Sequence, residues 1–135
     1  MENVTLANGI EMPVIGYGCY KVEDDGVSVF RQAIEAGYRH FDIAKIYGNE
    51  KELGDAIKSS GIPREEFFIT TKLWRDDLER PEEALEESLR LLQTDYLDLY
   101  LIHWPRPSDF TDRWPELDLF AWRAMVNTIC YDRYQ

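Results

Sequence analysis

At 135 residues the chain is long enough for one domain with a hydrophobic core, and 44% hydrophobic residues, with four tryptophans, eight tyrosines and six phenylalanines to pack, exclude a disordered chain. A formal net charge of −11, with the acids spread along helical stretches, argues for solubility and against nucleic acid or an anionic membrane as partner. Cys19 and Cys130 make neither a disulfide framework nor a metal site, "MENVTLANG" lacks the marks of a signal peptide, and "YLDLYLIHW" is too short to span a bilayer and contains Asp98, so a cytoplasmic protein is expected.

The first residues predict a β-hairpin, because "VTLANGIEM" sets Asn8-Gly9 between short alternating arms. "PVIGYGCY" follows as an apolar run, then helical spacing through Val29, Phe30, Ala33 and Ile34, stopped by Gly37. "RHFDIA" predicts a strand. A second helix is expected from about Asn49 to Ser59, with Leu53, Ala56 and Ile57 on one face and Gly61 past its end. "FFITTKLW" is rich in β-branched and aromatic residues and predicts the next strand. In "RPEEALEESLRLLQ", Pro81 suits the first helical turn, and Leu85, Leu89 and Leu92 make a buried stripe. "YLDLYLIH" is the last clear strand.

The expected strands start near residues 14, 40, 67 and 96, a period of about 27 residues that fits one βα unit. Apolar strands alternating with helices predict a parallel sheet covered by helices. An open doubly wound sheet would announce a dinucleotide site by a glycine-rich turn, but after Gly16 and Gly18 the third glycine position holds Lys21. A (β/α)₈ barrel instead places reacting groups at the C-terminal ends of several strands. Polar residues stand at those ends here: Asp42 and, in the following loop, Tyr47, then Lys72, then His103.

Singly, each has a structural explanation: a solvated strand end, an amphipathic loop tyrosine, a snorkelling lysine, a hydrogen-bonded core histidine. Together, on strands whose ends converge, they make one pocket. A phenol with an ordinary pKa of about 10 is a poor proton donor near neutrality unless its anion is stabilised. An adjacent ammonium is expected to do that for Tyr47, with Asp42 as counter-charge for Lys72, so that Tyr47 serves as general acid. His103 is expected to hydrogen-bond and polarise a carbonyl oxygen. Such a site suits protonation of an oxygen that gains charge as hydride reaches a carbonyl carbon, which implies a reduced nicotinamide.

"GYRHFDIAKIYGNEKELG", "FITTKLW" and "LDLYLIHWP" resemble the segments that carry the catalytic tetrad of the aldo-keto reductase family, and the hairpin, "MPVIGYGCYK" and "SGIPREEFFI" match in order, over roughly residues 1–125. The resemblance implies Asp42, Tyr47, Lys72 and His103 as the tetrad, with Tyr47 the acid. It implies Gly18, Cys19 and Tyr20 as neighbours of the nicotinamide and Asp42 as a contact of its ribose. NADPH is the implied cofactor, with NADH as its alternative, and the implied substrate is a small aldehyde or ketone. Cys19 replaces a usual threonine, and Ile43 a usually small residue. Trp74 and Trp104 lie just past strand ends, where lining a substrate cleft with His103 and packing the core are equally good accounts of them.

A complete barrel needs eight βα units and typically about 250 residues. The expected architecture is therefore the N-terminal half of a (β/α)₈ TIM-barrel-type fold: about four βα units after a hairpin, an incomplete NADP-dependent oxidoreductase domain over residues 1–135. "LDLFAWRAM" still fits the approach to a fourth helix, whereas residues 126–135, "VNTICYDRYQ", are expected to be a divergent tail. Half-barrel edges are expected to favour self-association. The alternative to an active reductase is a catalytically inactive remnant, or a self-associating half-barrel without enzymatic activity.

Overall fold

The structure, a computed structural model, describes residues 2–22, 25–104 and 129–130. Strands β1 (Asn3–Thr5) and β2 (Glu11–Pro13) form the antiparallel hairpin, with Thr5 opposite Glu11. Its turn is wider than a two-residue Asn-Gly loop. Leu6 N–H donates to the Ile10 carbonyl and Gly9 N–H to the Leu6 carbonyl, both at 2.8 Å, so three residues cross the end. Gly9 takes a φ of 85° there, the conformation that only glycine adopts without strain.

Five parallel strands follow in chain order: β3 (Gly16–Gly18), β4 (His40–Asp42), β5 (Phe68–Leu73), β6 (Leu99–Ile102) and β7 (Ile129–Cys130). Between them run α1 (Gly26–Glu35), α2 (Glu50–Ser60) and α3 (Pro81–Leu92). Parallel pairing starts at Gly16 rather than near residue 14, because Val14 N–H is used by the Glu2 carbonyl at 2.9 Å and extends the hairpin. Within the expected tail, Ile129 and Cys130 pair with Tyr100 and Leu101 as a fifth parallel strand. The remainder of that tail and the helix expected near 117–125 lie outside the described residues.

Alternation along the strands separates two faces. Phe41, Ile69, Leu73 and Tyr100 face the helices and pack against Phe30 and Ile34 of α1, Leu53 and Ala56 of α2, and Leu85 and Leu89 of α3. Asp42 and Lys72 take the opposite face, where they meet each other. Helices on one face of a parallel sheet are the arrangement of a half-barrel. Far from the strand ends that carry Lys72 and His103, Arg64 pairs with Asp98 at 2.7 Å, and Asp98 also accepts the Ile69 N–H at 2.9 Å. The acid inside "YLDLYLIH" thereby fixes the register of β6 against β5. Among the described residues no helix is long and apolar enough to cross a membrane.

Helices α2 and α3 approach most closely at Gly54. A Cβ there would lie 2.7 Å from the Leu91 carbonyl oxygen and 2.8 Å from the Leu92 carbonyl carbon, both backbone atoms. Gly54→Ala gains about 1 kcal/mol of helix propensity but overpacks this contact, which typically costs 1–3 kcal/mol and more where the backbone itself must shift. A net loss is expected, read as a lower urea midpoint at unchanged slope. A raised midpoint would show that α2 and α3 separate freely.

Candidate active site

Strand β4 ends at Asp42, and the chain turns through a single 3₁₀ turn, Lys45–Tyr47, before Asn49 and α2. Tyr47 N–H donates to the Ala44 carbonyl at 2.9 Å and Gly48 N–H to the Lys45 carbonyl at 3.1 Å, which fixes the tyrosine at the mouth of the sheet. Lys72 stands at the penultimate position of β5, and His103 just follows β6, its N–H bonded to the Leu73 carbonyl at 3.0 Å. All four expected tetrad residues thus reach one pocket.

Lys72 donates to the Asp42 carboxylate and, at 2.8 Å, to the Ile43 carbonyl. The pair is unequal: the Lys72 side chain is 11% exposed and that of Asp42 is 45% exposed. The ammonium is thus enclosed and neutralised, while the acid keeps an open side. Lys72 Nζ lies 5.4 Å from the centroid of the Tyr47 ring, and the Tyr47 and His103 rings meet edge-on at 5.7 Å.

The proton affinity of Tyr47 runs opposite to the sequence expectation. Burial, and next the Asp42 carboxylate, push the phenol above its ordinary value. Lys72 is hydrogen-bonded to Asp42 and Ile43 rather than to the phenol. Tyr47 is therefore firmly protonated at neutral pH. His103 is shifted the other way: burial lowers it and the Lys72 ammonium adds to this, against the pull of Asp42. With an ordinary value near 6.5 already below neutrality, the imidazole is neutral at pH 7. Its Nδ1 is buried and has no hydrogen-bond partner among the described residues, which leaves Nε2 as the nitrogen available to the pocket.

Aromatic rings line the mouth. Tyr20 lies 5.2 Å from Tyr47, Trp74 lies 5.4 Å from His103, and Trp104 lies 5.6 Å from Trp74. Tyr20 and Trp104 are more than half exposed. Trp74 and Trp104 therefore pack beside His103, outside the buried core cluster. Gly18 borders open space, since a Cβ there would meet nothing within 4 Å, so a flat ring can lie against this backbone. Gly18, Tyr20 and the open side of Asp42 thus suit the nicotinamide end of a dinucleotide. Cys19 contributes differently. Its thiol is buried in the core and burial, first, pushes it up to about 12. Its N–H bonds the Asp42 carbonyl at 2.9 Å, and its carbonyl accepts from Asn49, so Cys19 supports the loop from beneath.

Several supporting residues escaped the sequence reading. Asn49 Nδ2 donates to the carbonyls of Cys19 at 3.0 Å and Val22 at 3.1 Å, pinning the Gly18–Val22 loop beside Tyr47. Glu50 is buried in the first turn of α2 and accepts from Thr71 at 2.7 Å and Ser88 at 3.2 Å. Burial raises its carboxyl above the ordinary range despite those bonds. The signal available in the sequence was "GNE" directly after Tyr47, with two hydrogen-bonding side chains, one of them at a helix start. Among the described residues no group of three His, Cys, Asp or Glu side chains is placed to hold a metal.

Residues 14–125 match the aldo/keto reductase family model. Methylglyoxal reductase DkgA of Salmonella typhimurium is 44% identical over 135 residues, covering 98% of this chain and 49% of that protein. The aldehyde reductase YPR1 of Saccharomyces cerevisiae is 53% identical over 109 residues, covering 80% of this chain and 35% of that one. Among solved structures, an aldo/keto reductase from Brucella melitensis superposes with a TM-score of 0.88 at 42% identity, covering 99% of this chain and 53% of that chain. The chain spans about half the length of the Salmonella reductase and of the Brucella chain, and about a third of the yeast protein. With the matched segment covering most of its residues, the chain belongs to the aldo/keto reductase family.

Proposed function

We propose that this chain carries the carbonyl-reducing site of an NAD(P)H-dependent aldo/keto reductase, with Tyr47 as general acid and NADPH as the preferred cofactor. The observation that carries the proposal is the convergence of a protonated phenol, a neutral imidazole and an enclosed Lys72 paired with the partly open Asp42 at the strand ends. A reduced nicotinamide, when bound, supplies the hydride. Gly18, Tyr20 and the open side of Asp42 hold its nicotinamide and ribose, with Cys19 behind them. His103 donates from Nε2 to the carbonyl oxygen and fixes its direction. Tyr47 keeps its proton in the resting site and gives it up as negative charge gathers on that oxygen. Lys72 acts at one remove by cancelling the Asp42 charge that would otherwise bind the phenolic proton more tightly.

Trp74 and Trp104 form the apolar wall against which the substrate rests. A small aldehyde or ketone is the proposed substrate, in keeping with relatives named methylglyoxal, glyoxal and aldehyde reductases. Absolute turnover is expected to be slow. These residues address only the nicotinamide end, whereas charge-assisted bonds to phosphate are the strong ones, and a net charge of −11 gives no general attraction for an anionic dinucleotide.

NADPH oxidation with methylglyoxal or a reactive aromatic aldehyde, at high cofactor concentration, tests the assignment. Tyr47→Phe is expected to lower turnover by about 10²- to 10⁴-fold without weakening cofactor quenching of tryptophan fluorescence. Lys72→Met is expected to do comparable damage, because Asp42 then faces the phenol uncompensated. Wild-type rates in Tyr47→Phe would remove Tyr47 from the chemistry.

A second proposal concerns assembly: two copies pair through the outer edge of β3. Among the described residues β3 is bonded only to β4, and Val14 and Ile15, which lead into it, are more than half exposed. Sedimentation from micromolar to hundred-micromolar protein should show a concentration-dependent dimer that Ile15→Lys weakens. A monomer throughout that range would contradict it.

A further inference from the structure

Lys45 lies outside the chemistry above, yet its side chain joins two segments that carry the pocket. Its ammonium lies 3.0 Å from Asp77 and 2.8 Å from Glu87. The Lys45 side chain is 20% exposed and that of Asp77 8%, whereas Glu87 on α3 is half exposed. Lys45 opens the same single 3₁₀ turn that ends at Tyr47, and that turn is closed by two backbone bonds, Tyr47 N–H to the Ala44 carbonyl and Gly48 N–H to the Lys45 carbonyl. Asp77 closes the corresponding turn after β5, where its N–H bonds the Trp74 carbonyl at 3.0 Å.

The bridge therefore runs between the turn that presents Tyr47 and the turn that begins at Trp74. The ring of His103 sits between them, 5.7 Å from Tyr47 and 5.4 Å from Trp74. A rigid cross-link behind both turns sets the opening in which the imidazole and the phenol face a reacting oxygen. A single 3₁₀ turn has too few internal bonds to hold that spacing alone.

We propose that Lys45, through its bridge to Asp77 and Glu87, is a positioning residue that fixes Tyr47 relative to His103 and Trp74. The geometry favours a positional role over a purely stabilising one. Asp77 also accepts from Arg80, at 3.1 Å, so removing Lys45 does not leave a buried carboxylate alone. The fold is expected to survive Lys45→Met while the Tyr47 turn loses its outer anchor. The effect on turnover rests on the proposed carbonyl reduction; the ring geometry does not.

The test compares Lys45→Met and Lys45→Arg with the wild-type 135-residue chain. Cross-relaxation between the Tyr47 and His103 rings is read by NMR, and kcat and KM for an aromatic aldehyde are read at fixed high NADPH. Lys45→Met is expected to unfold cooperatively, to lose most of the Tyr47–His103 cross-relaxation, and to fall about 10- to 100-fold in kcat with a smaller change in KM. Lys45→Arg, which keeps the bridge, is expected to restore both. Unchanged cross-relaxation and kcat in Lys45→Met would overturn the proposal, as would loss of both in Lys45→Arg as well. If the wild type shows no Tyr47-dependent turnover while the ring contact still responds to Lys45, carbonyl reduction fails and the positioning role stands. If Lys45→Met does not fold, Glu87→Gln, which leaves Asp77 on both cations, is expected to weaken the ring contact partially; no weakening would overturn the proposal.

Discussion

An enclosed ammonium on β5 requires an acid on β4, and the site is arranged around that demand. Lys72 is almost buried, and an enclosed ammonium is costly unless it is paired and hydrogen-bonded. Asp42 supplies the counter-charge, and the Ile43 carbonyl takes a second of its hydrogens. The two neighbouring groups inherit opposite consequences. Tyr47 feels burial and the acid, so it is held in the phenol form. His103 feels burial and the ammonium, so it is held neutral. One ion pair therefore leaves the pocket with two uncharged hydrogen-bonding groups, as polarising and then protonating a carbonyl requires.

Strand β5 supplies both the site and its support, because neighbouring residues point to opposite faces. Lys72 turns toward Asp42, while Thr71, one residue earlier, turns toward the helices and donates to Glu50. Glu50 also receives Ser88 from α3, so the start of α2 is tied to β5 and α3 together. Asn49 extends this tie to the Gly18–Val22 loop through two carbonyls. The four residues Tyr47–Glu50 thus hold the phenol and, just after it, the bonds to three separate segments. A half-satisfied polar network would cost more here than an apolar one, since the carboxylate is fully buried.

Much of this was readable beforehand, and for physical reasons. Apolar, β-branched and aromatic runs revealed β4, β5 and β6, and polar residues at their ends, Asp42, Lys72 and His103, stood out against that pattern. Helix limits followed from Pro81, Gly37 and Gly61. Sequence order carries less information about partners that lie far apart. The contact of Asn49 with Cys19, of Glu50 with Ser88 and of Lys45 with Asp77 and Glu87 depends on how helices pack over strands. The direction of the Tyr47 shift depended on the same thing. Residue types alone predicted an ammonium lowering a phenol, but burial and then the Asp42 carboxylate raise it instead. Cys19 was read as a cofactor neighbour from its place in the loop, and only packing reveals that its thiol turns into the core.

Asp42, next after burial, raises the proton affinity of Tyr47, and Lys72 offsets it. Titration of the Tyr47 ring carbon bonded to oxygen, observed by NMR in ¹³C-tyrosine-labelled protein, measures that coupling directly and needs neither cofactor nor substrate. Asp42→Asn removes a charge that raises the phenol and leaves the Lys72 ammonium without its acid, so the Tyr47 midpoint is predicted to fall below its wild-type value. A midpoint that stays in place or rises in Asp42→Asn would contradict the account.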